Sequence, residues 1–250
     1  MHSTASPDST ASPASRFRRH SPALVAVDID GTLLQGHGVG RRAIEATLTD
    51  TFGRAFDTSS LSFSGKTDRQ IFRQILALAV ETGIEVDDPD AAHERFGTVY
   101  AQRMHGALVD AHIEALPGAL DLVRRLARDG AEMGLLTGNL EPLAYAKVGR
   151  IALGRTEFPF GAFGSDDEDR NALPAVAIER ATAHLGREID PAEVVVIGDT
   201  PRDIACARAG GCVAVAVATG NFGTSELTDA DVVLDSLEAF RLADIEAVTA

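Results

Sequence analysis

The chain has 250 residues and a formal net charge of −14, with 45% hydrophobic residues and no tryptophan. That length gives one large domain or two small ones with ample core, the apolar content excludes a fibrous or disordered chain, and the acidity argues against a nucleic-acid backbone or an anionic membrane surface as partner. Two cysteines make neither a disulfide scaffold nor a Cys-based zinc site, so a reducing cytoplasm is the expected location, and no apolar run reaches the roughly 18 residues of a membrane helix.

Residues 1–20 are rich in Ser, Thr, Ala and Pro, with Arg16, Arg18 and Arg19 as a small basic cluster. No apolar stretch of the secretory kind follows them, and they read as a disordered tail. From residue 23 the run ALVAVDID (23–30) is short, apolar and ends in carboxylates. It reads as a strand buried on both faces. Helical periodicity follows at 41–56, 67–82 and 90–110, led in by Gly36, Gly38 and Gly40 and closed by Leu116-Pro117-Gly118. Helix 118–130, strand EMGLLTG (132–138), helices 141–153 and 171–186, strand EVVVIGDT (193–200) and helix 201–210 come next. Strands CVAVAVATG (212–220) and DVVLDS (231–236) and an apolar helix at 236–248 complete the reading.

Strands alternating with helices imply an α/β fold with a Rossmann-like parallel sheet. Ligands of such sheets bind beyond the carboxyl ends of the strands. About a hundred residues separate the first two strands, far more than the roughly 30 of a βαβ unit. The excess implies an inserted α-helical cap domain. The expected division is a core from 21–38 and 114–250 and a cap from 39–113.

Chemistry concentrates at the strand ends. Asp28-Ile29-Asp30-Gly31-Thr32 ends the first, and residues two apart on a strand face the same way. Thr137-Gly138-Asn139 ends the second, and Asp199-Thr200-Pro201-Arg202-Asp203 ends the strand at 193–200. Each segment alone has an ordinary structural use. Thr200 with Asp203 fits a capping box, Pro201 suits a first helical position, and Thr137-Gly138-Asn139 fits a turn. If these strands are neighbours, Asp28, Asp30, Asp199 and Asp203 converge in one cleft. Such carboxylates repel one another unless a cation compensates. A hard divalent ion with oxygen ligands, Mg²⁺ beside a phosphate, is the expected cofactor.

These motifs, DIDGTL (28–33), LLTGN (135–139) and VIGDTPRD (196–203) followed by IACARAGG, resemble the haloacid dehalogenase-like (HAD) hydrolase superfamily. The match covers roughly residues 22–240, and the insert resembles the helical cap of its phosphoglycolate phosphatase-like and phosphomutase-like branch. The resemblance implies a Mg²⁺-dependent phosphatase of a small phosphorylated metabolite, acting through an aspartyl-phosphate as a monomer or homodimer. A phosphomutase with the same intermediate and a non-catalytic binding protein are the alternatives. By the same resemblance Asp28 is the nucleophile, and Asp30 is the general acid/base whose main-chain carbonyl also ligates Mg²⁺. Thr137, with the amides of Gly138 and Asn139, binds the phosphoryl group. Asp199 is a metal ligand, and Asp203 acts at the metal or holds the basic residue. A carboxylate at Asp30, which dehalogenases proper lack, favours phosphate over C–halogen chemistry.

The sequence departs from the family at its third motif, a lysine downstream of the second. The only lysines are Lys66 and Lys147, against 21 arginines. Arg170, just before the helix at 171–186, is the first candidate for that position. Lys147, ten residues past Thr137, is the alternative and a candidate substrate contact. Asp166 or Asp167 from the acidic run 166–169 is a further candidate for the metal. In the insert, Ser64-Gly65-Lys66-Thr67-Asp68-Arg69 is a glycine turn at a helix start that suits an anion. Lys66 or Arg69 is placed on the non-phosphate part of the substrate, an acidic organic group. The seven histidines are scattered without metal-ligand spacing and read as surface or core residues. Cys206 and Cys212 read as packing.

Overall fold

A computed structural model describes residues 22–241 of the chain. The tail at 1–20 and residues 242–248 of the expected helix 236–248 therefore lie outside the described residues.

The six-stranded sheet is parallel throughout. Its strands are β1 (Leu24–Val27), β4 (Met133–Thr137), β5 (Phe160–Phe163), β6 (Val194–Gly198), β7 (Val213–Val217) and β8 (Val232–Leu234), in the order β5-β4-β1-β6-β7-β8. β1, β4 and β6 are thus adjacent, with Val27 opposite Leu135 on one side and Ile197 on the other. This adjacency brings the three motif-bearing ends together. Alternate residues feed two apolar layers. Val25, Val27, Leu135, Val195 and Ile197 pack on α4 (Ala119–Arg128) and α5 (Glu141–Gly149). Leu24, Ala26, Leu136, Val194 and Val196 pack on α6 (Leu173–Leu185) and α7 (Pro201–Ala209). Each fully buried branched side chain contributes about 1.5–3 kcal/mol of transfer free energy, which is why these strands read as unbroken apolar runs.

The insert holds α1 (Val39–Phe52), α2 (Asp68–Glu81) and α3 (Pro89–Asp110). Its own core includes Ile44, Leu48, Phe72, Ile75, Phe96, Tyr100 and Met104. Thr67 caps α2 by accepting from the Gln70 amide, and Asp88 caps α3 by accepting from Ala91, with Pro89 at the first turn. Such caps contribute about 1 kcal/mol each. The two connections to the sheet pair as a short antiparallel ribbon, β2 (Leu34–Gln35) with β3 (Glu114–Ala115).

Three readings differ from the structure. β5 was absent from the sequence reading, because a four-residue strand with glycine at its second position carries little β signal. Phe160, Ala162 and Phe163 are nonetheless buried, and the strand completes the edge beside β4. The described part of 236–248 forms turns, not a helix. Leu237 and Phe240 are buried, and their carbonyls accept from the Arg125 guanidinium at 3.2 and 3.0 Å, with the Leu237 carbonyl also closing a single turn from the Phe240 amide at 3.3 Å. The helix expected at 171–186 begins with one tight 3₁₀ turn, Arg170–Ala172, before α6.

Candidate active site

The cleft lies where β1, β4 and β6 end, beneath the insert. Its volume is about 270 Å³, and both the strand ends and the insert line it. Gly31 is required by geometry. Its φ is +82°, and a Cβ there would stand 2.3 Å from the Asp199 carboxylate. Gly138 is required by contact, since a Cβ would meet the Lys66 carbonyl of the insert at 2.1 Å.

Asp28, Asp199 and Asp203 are buried, with one carboxylate oxygen of each within 4.8 Å of the others. Arg170, 6% exposed, bridges two of them: its Nη2 lies 3.2 Å from Asp28 Oδ2 and donates to Asp203 Oδ1. The other Asp203 oxygen accepts from the Thr200 amide (3.0 Å) and hydroxyl (2.7 Å), closing the capping box of α7. Both Asp203 oxygens are therefore in use, and its carboxylate orients Arg170. Among the described residues Asp199 accepts only a long bond, from the Thr32 hydroxyl (3.4 Å). Burial first, then Asp203 and Asp28, pushes the Asp199 carboxyl up to about 9. Burial raises Asp28 to about 6 against the opposing pull of Arg170.

A second charge group surrounds Asp30. Lys147, buried on the α5 face that also carries Leu143, Ala144 and Val148, donates to Asp30 Oδ2 and to Asn139 Oδ1, both at 2.6 Å. The Asn139 amide donates to Asp30 Oδ2 and to the Thr137 hydroxyl, both at 2.8 Å. Burial alone would raise Asp30, but Lys147, Asn139 and Arg170 outweigh it and hold the carboxyl below its ordinary value. Its side chain stays 45% exposed, facing the cleft.

The structure thus gathers Asp28, Asp30, Thr137, Gly138, Asn139, Lys147, Arg170 and Asp199 around one volume, with Lys66 on its insert side. Lys66 Nζ donates to Gln74 at 2.7 Å, and its ammonium is shifted down by burial and by Arg202. Arg69 turns away to Glu94 (3.0 Å). Asp166 and Asp167 also fall outside the site. Arg180 holds Asp166 through two bonds of 2.7 Å, and Asp167 caps the Asp169 amide at 2.8 Å.

The sequence reading passed over several lining residues. Asp68 enters as the first residue of α2, accepts from the Leu140 amide at 2.9 Å, and its own amide donates to the Gly138 carbonyl at 2.7 Å. Burial pushes its carboxyl up to about 6. Tyr100 lies beside it, shifted well up by burial and by Asp68. Arg41, its guanidinium 4.3 Å above the Phe63 ring, also faces the cleft. Arg41 sits in a helix that looks ordinary in sequence; only the fold turns that face downward.

The donor set fits a hard divalent cation. Lys147 and Arg170 offset two of the four core carboxylates, and the remaining surplus sits on Asp28 and Asp199, the two with raised carboxyls. Oxygen donors in a buried anionic pocket are what Mg²⁺ takes.

Comparison with known proteins matches residues 22–211 to the haloacid dehalogenase-like hydrolase family. A phosphoglycolate phosphatase 1 of Pseudomonas aeruginosa is 28% identical over 228 residues, covering 88% of this chain and 79% of the relative. Among solved structures, a predicted phosphoglycolate phosphatase from Haemophilus somnus superposes with a TM-score of 0.67 at 18% identity, covering 91% and 98% of the two chains. A β-phosphoglucomutase from Clostridium difficile reaches the same 0.67 at 17% identity, covering 92% and 97%.

Proposed function

From the premise that the chain belongs to the haloacid dehalogenase-like hydrolases, we propose that it is a Mg²⁺-dependent phosphatase of a small phosphorylated metabolite bearing an acidic group. One observation carries the reading: the Asp28 carboxylate lies 3.2 Å from the buried Arg170 guanidinium and within 4.8 Å of Asp199, which has no ion-pair partner among the described residues. The phosphatase relatives supply the reaction class.

Asp28 attacks phosphorus, and the P–O bond to the alcohol breaks while Asp30 delivers to the leaving oxygen the proton that it took from water in the preceding turnover. Water, deprotonated by Asp30, then attacks the Asp28 acyl-phosphate at phosphorus and releases inorganic phosphate. Lys147 and Asn139 hold Asp30 ionised for this second half. Arg170, oriented by Asp203, steadies Asp28 and the phosphoryl charge; its Nε has no partner among the described residues. The Thr137 hydroxyl and the Gly138 and Asn139 amides complete the phosphoryl cradle. Asp28, Asp199 and the Asp30 carbonyl would hold Mg²⁺, while Asp203 holds Arg170 and the α7 cap. The ion would neutralise phosphoryl charge and align it for in-line attack.

The insert, residues 39–113, acts as the cap over the core. Its Lys66 and Arg41 face the cleft and favour an anionic organic group on the substrate. The small volume suits a metabolite of few atoms. The test is phosphate release from a panel of phosphorylated small acids and sugars, with Mg²⁺ and with EDTA. Acid phosphates should be hydrolysed only with Mg²⁺. Isomerised sugar phosphate without phosphate release would establish the mutase instead.

A further inference from the structure

The ribbon that joins the insert to the sheet carries a cluster that the reaction does not use, although its His37 also borders the cleft. His37 and His112 are remote in sequence, yet the β2–β3 ribbon pairs Gln35 with Glu114 and Leu34 with Ala115. The same offset continued two residues sets His37 opposite His112, and their rings stack with centroids 5.1 Å apart at 19°. Glu114, two residues from His112 on the same ribbon face, reaches both. Its Oε1 lies 2.8 Å from His37 Nε2, and its Oε2 lies 3.8 Å from His112 Nε2.

We infer that His37, His112 and Glu114 form a binding site for a borderline divalent transition-metal ion of the Zn²⁺ type, and that the ion ties the two connections of the cap together. One ligand atom from each residue lies within 4.8 Å of the other two. A tetrahedral ion with bonds near 2.0–2.1 Å holds its ligand atoms about 3.3 Å apart. The remaining closure is small for side chains that are 43%, 75% and 52% exposed. Two imidazoles and one carboxylate, with a position left for water, suit Zn²⁺, Co²⁺ or Ni²⁺, whereas Mg²⁺ prefers an all-oxygen set. The chain would therefore sort two cations, the hard one to the carboxylate cleft and the borderline one to the hinge.

The backbone gives a second, independent observation. His37 has φ +46°, one of two non-glycine residues with positive φ among those described. Strain of this kind persists where surrounding structure fixes it. Here the His37 carbonyl accepts from Arg42 at 2.7 Å, and Gly36 and Gly38 flank it. The imidazole is thus turned toward His112 and Glu114 before any ion arrives, and the ion replaces the proton of the His37–Glu114 hydrogen bond.

The position gives the site its consequence. His37 leads into α1 and His112 follows α3, so both connections meet there. Opening the cleft requires the insert to part from the core at several contacts. The Thr67 hydroxyl donates to the Glu168 carbonyl at 2.7 Å, and Asn221 donates to Ser64 at 3.1 Å. An ion bridging the ribbon stiffens the segments that must flex for this parting.

Calorimetric titration of Zn²⁺ into the full chain in excess Mg²⁺ tests the site, with wild type, His112→Ala and Glu114→Gln compared. Both substituted side chains are at least half exposed, and circular dichroism checks that the variants fold. The wild type should bind one Zn²⁺ equivalent that His112→Ala weakens at least tenfold and Glu114→Gln several-fold. Amide hydrogen exchange at 36–39 and 110–113 should slow with Zn²⁺ in the wild type and not in His112→Ala. Equal Zn²⁺ binding by wild type and His112→Ala would place the ion in the carboxylate cleft and overturn the proposal, as would no Zn²⁺ binding by the wild type. Binding that leaves hydrogen exchange unchanged would refute the tie between the connections.

Discussion

Arg170 keeps its charge in a place where burial opposes it, because Asp203 and Asp28 outweigh the desolvation and raise its guanidinium well above the ordinary value. Removing it leaves two buried carboxylates facing each other. Arg170→Ala should lower kcat/KM about 10²–10³-fold, the range for one preorganised donor, and cost about 3–5 kcal/mol of stability in urea unfolding, as for a broken buried pair. Arg170→Lys should recover part of both, since charge survives but the bridge to Asp203 and Asp28 becomes a single point. Lys147 carries the parallel argument. Lys147→Met keeps the buried stem and removes the ammonium that touches Asp30 and Asn139. Turnover should fall about 10²-fold in steady-state phosphate release. An unchanged rate would remove Lys147 from the site.

At the scale of elements, the joint between α2 and the loop after β4 is the sensitive one. Asp68 accepts the Leu140 amide from within that joint, and burial pushes its carboxyl from an ordinary 3.8 up to about 6. The folded state therefore holds the proton more tightly than the unfolded chain. Ionised Asp68 costs stability above about pH 6; the cost fades as pH falls toward 3.8 and is absent below it. The penalty is about 3 kcal/mol, from roughly two pK units. Asp68→Asn keeps an acceptor for Leu140 and removes the charge. It should stabilise the chain in urea unfolding at neutral pH and show little gain near pH 4. A gain that grows as pH falls would contradict the assignment. The same elements mark where the sequence was readable. Val25, Val27, Leu135, Val195 and Ile197 announce buried strands because both faces are apolar. Phe160–Phe163 does not, because Gly161 and a length of four leave no period to count. Lys147 could have been placed from its own helix, since it falls on the buried stripe of Leu143, Ala144 and Val148. A lone lysine on an apolar face reads as a snorkelling surface residue until a carboxylate is known to lie beneath it.

Across the whole molecule, the α/β alternation and the long gap after β1 made the sheet and the helical insert legible, because both follow from local periodicity. The meeting of the two layers was not. Arg41, Tyr100 and Asp68 face the cleft only because α1, α2 and α3 close on one another, and His37 meets His112 only through the ribbon register. The chain's net charge of −14 also acquires a local meaning, since its densest buried share lies in the cleft and asks for a cation. Activity should fall with EDTA and return with Mg²⁺, and Ca²⁺ should restore little. Ca²⁺ takes more ligands at longer distance and would leave Asp28 poorly aligned for attack. Full turnover in chelated buffer would count against the cation.

The covalent role of Asp28 is the centre of the account, and acid quenching during turnover tests it most directly. With a substrate radiolabelled in its phosphoryl group and Mg²⁺ present, the quenched wild-type chain should carry acid-stable, hydroxylamine-labile label on the peptide containing Asp28. Asp28→Asn should carry none and release no phosphate above background. Label that survives Asp28→Asn, or normal phosphate release by that variant, would contradict the account.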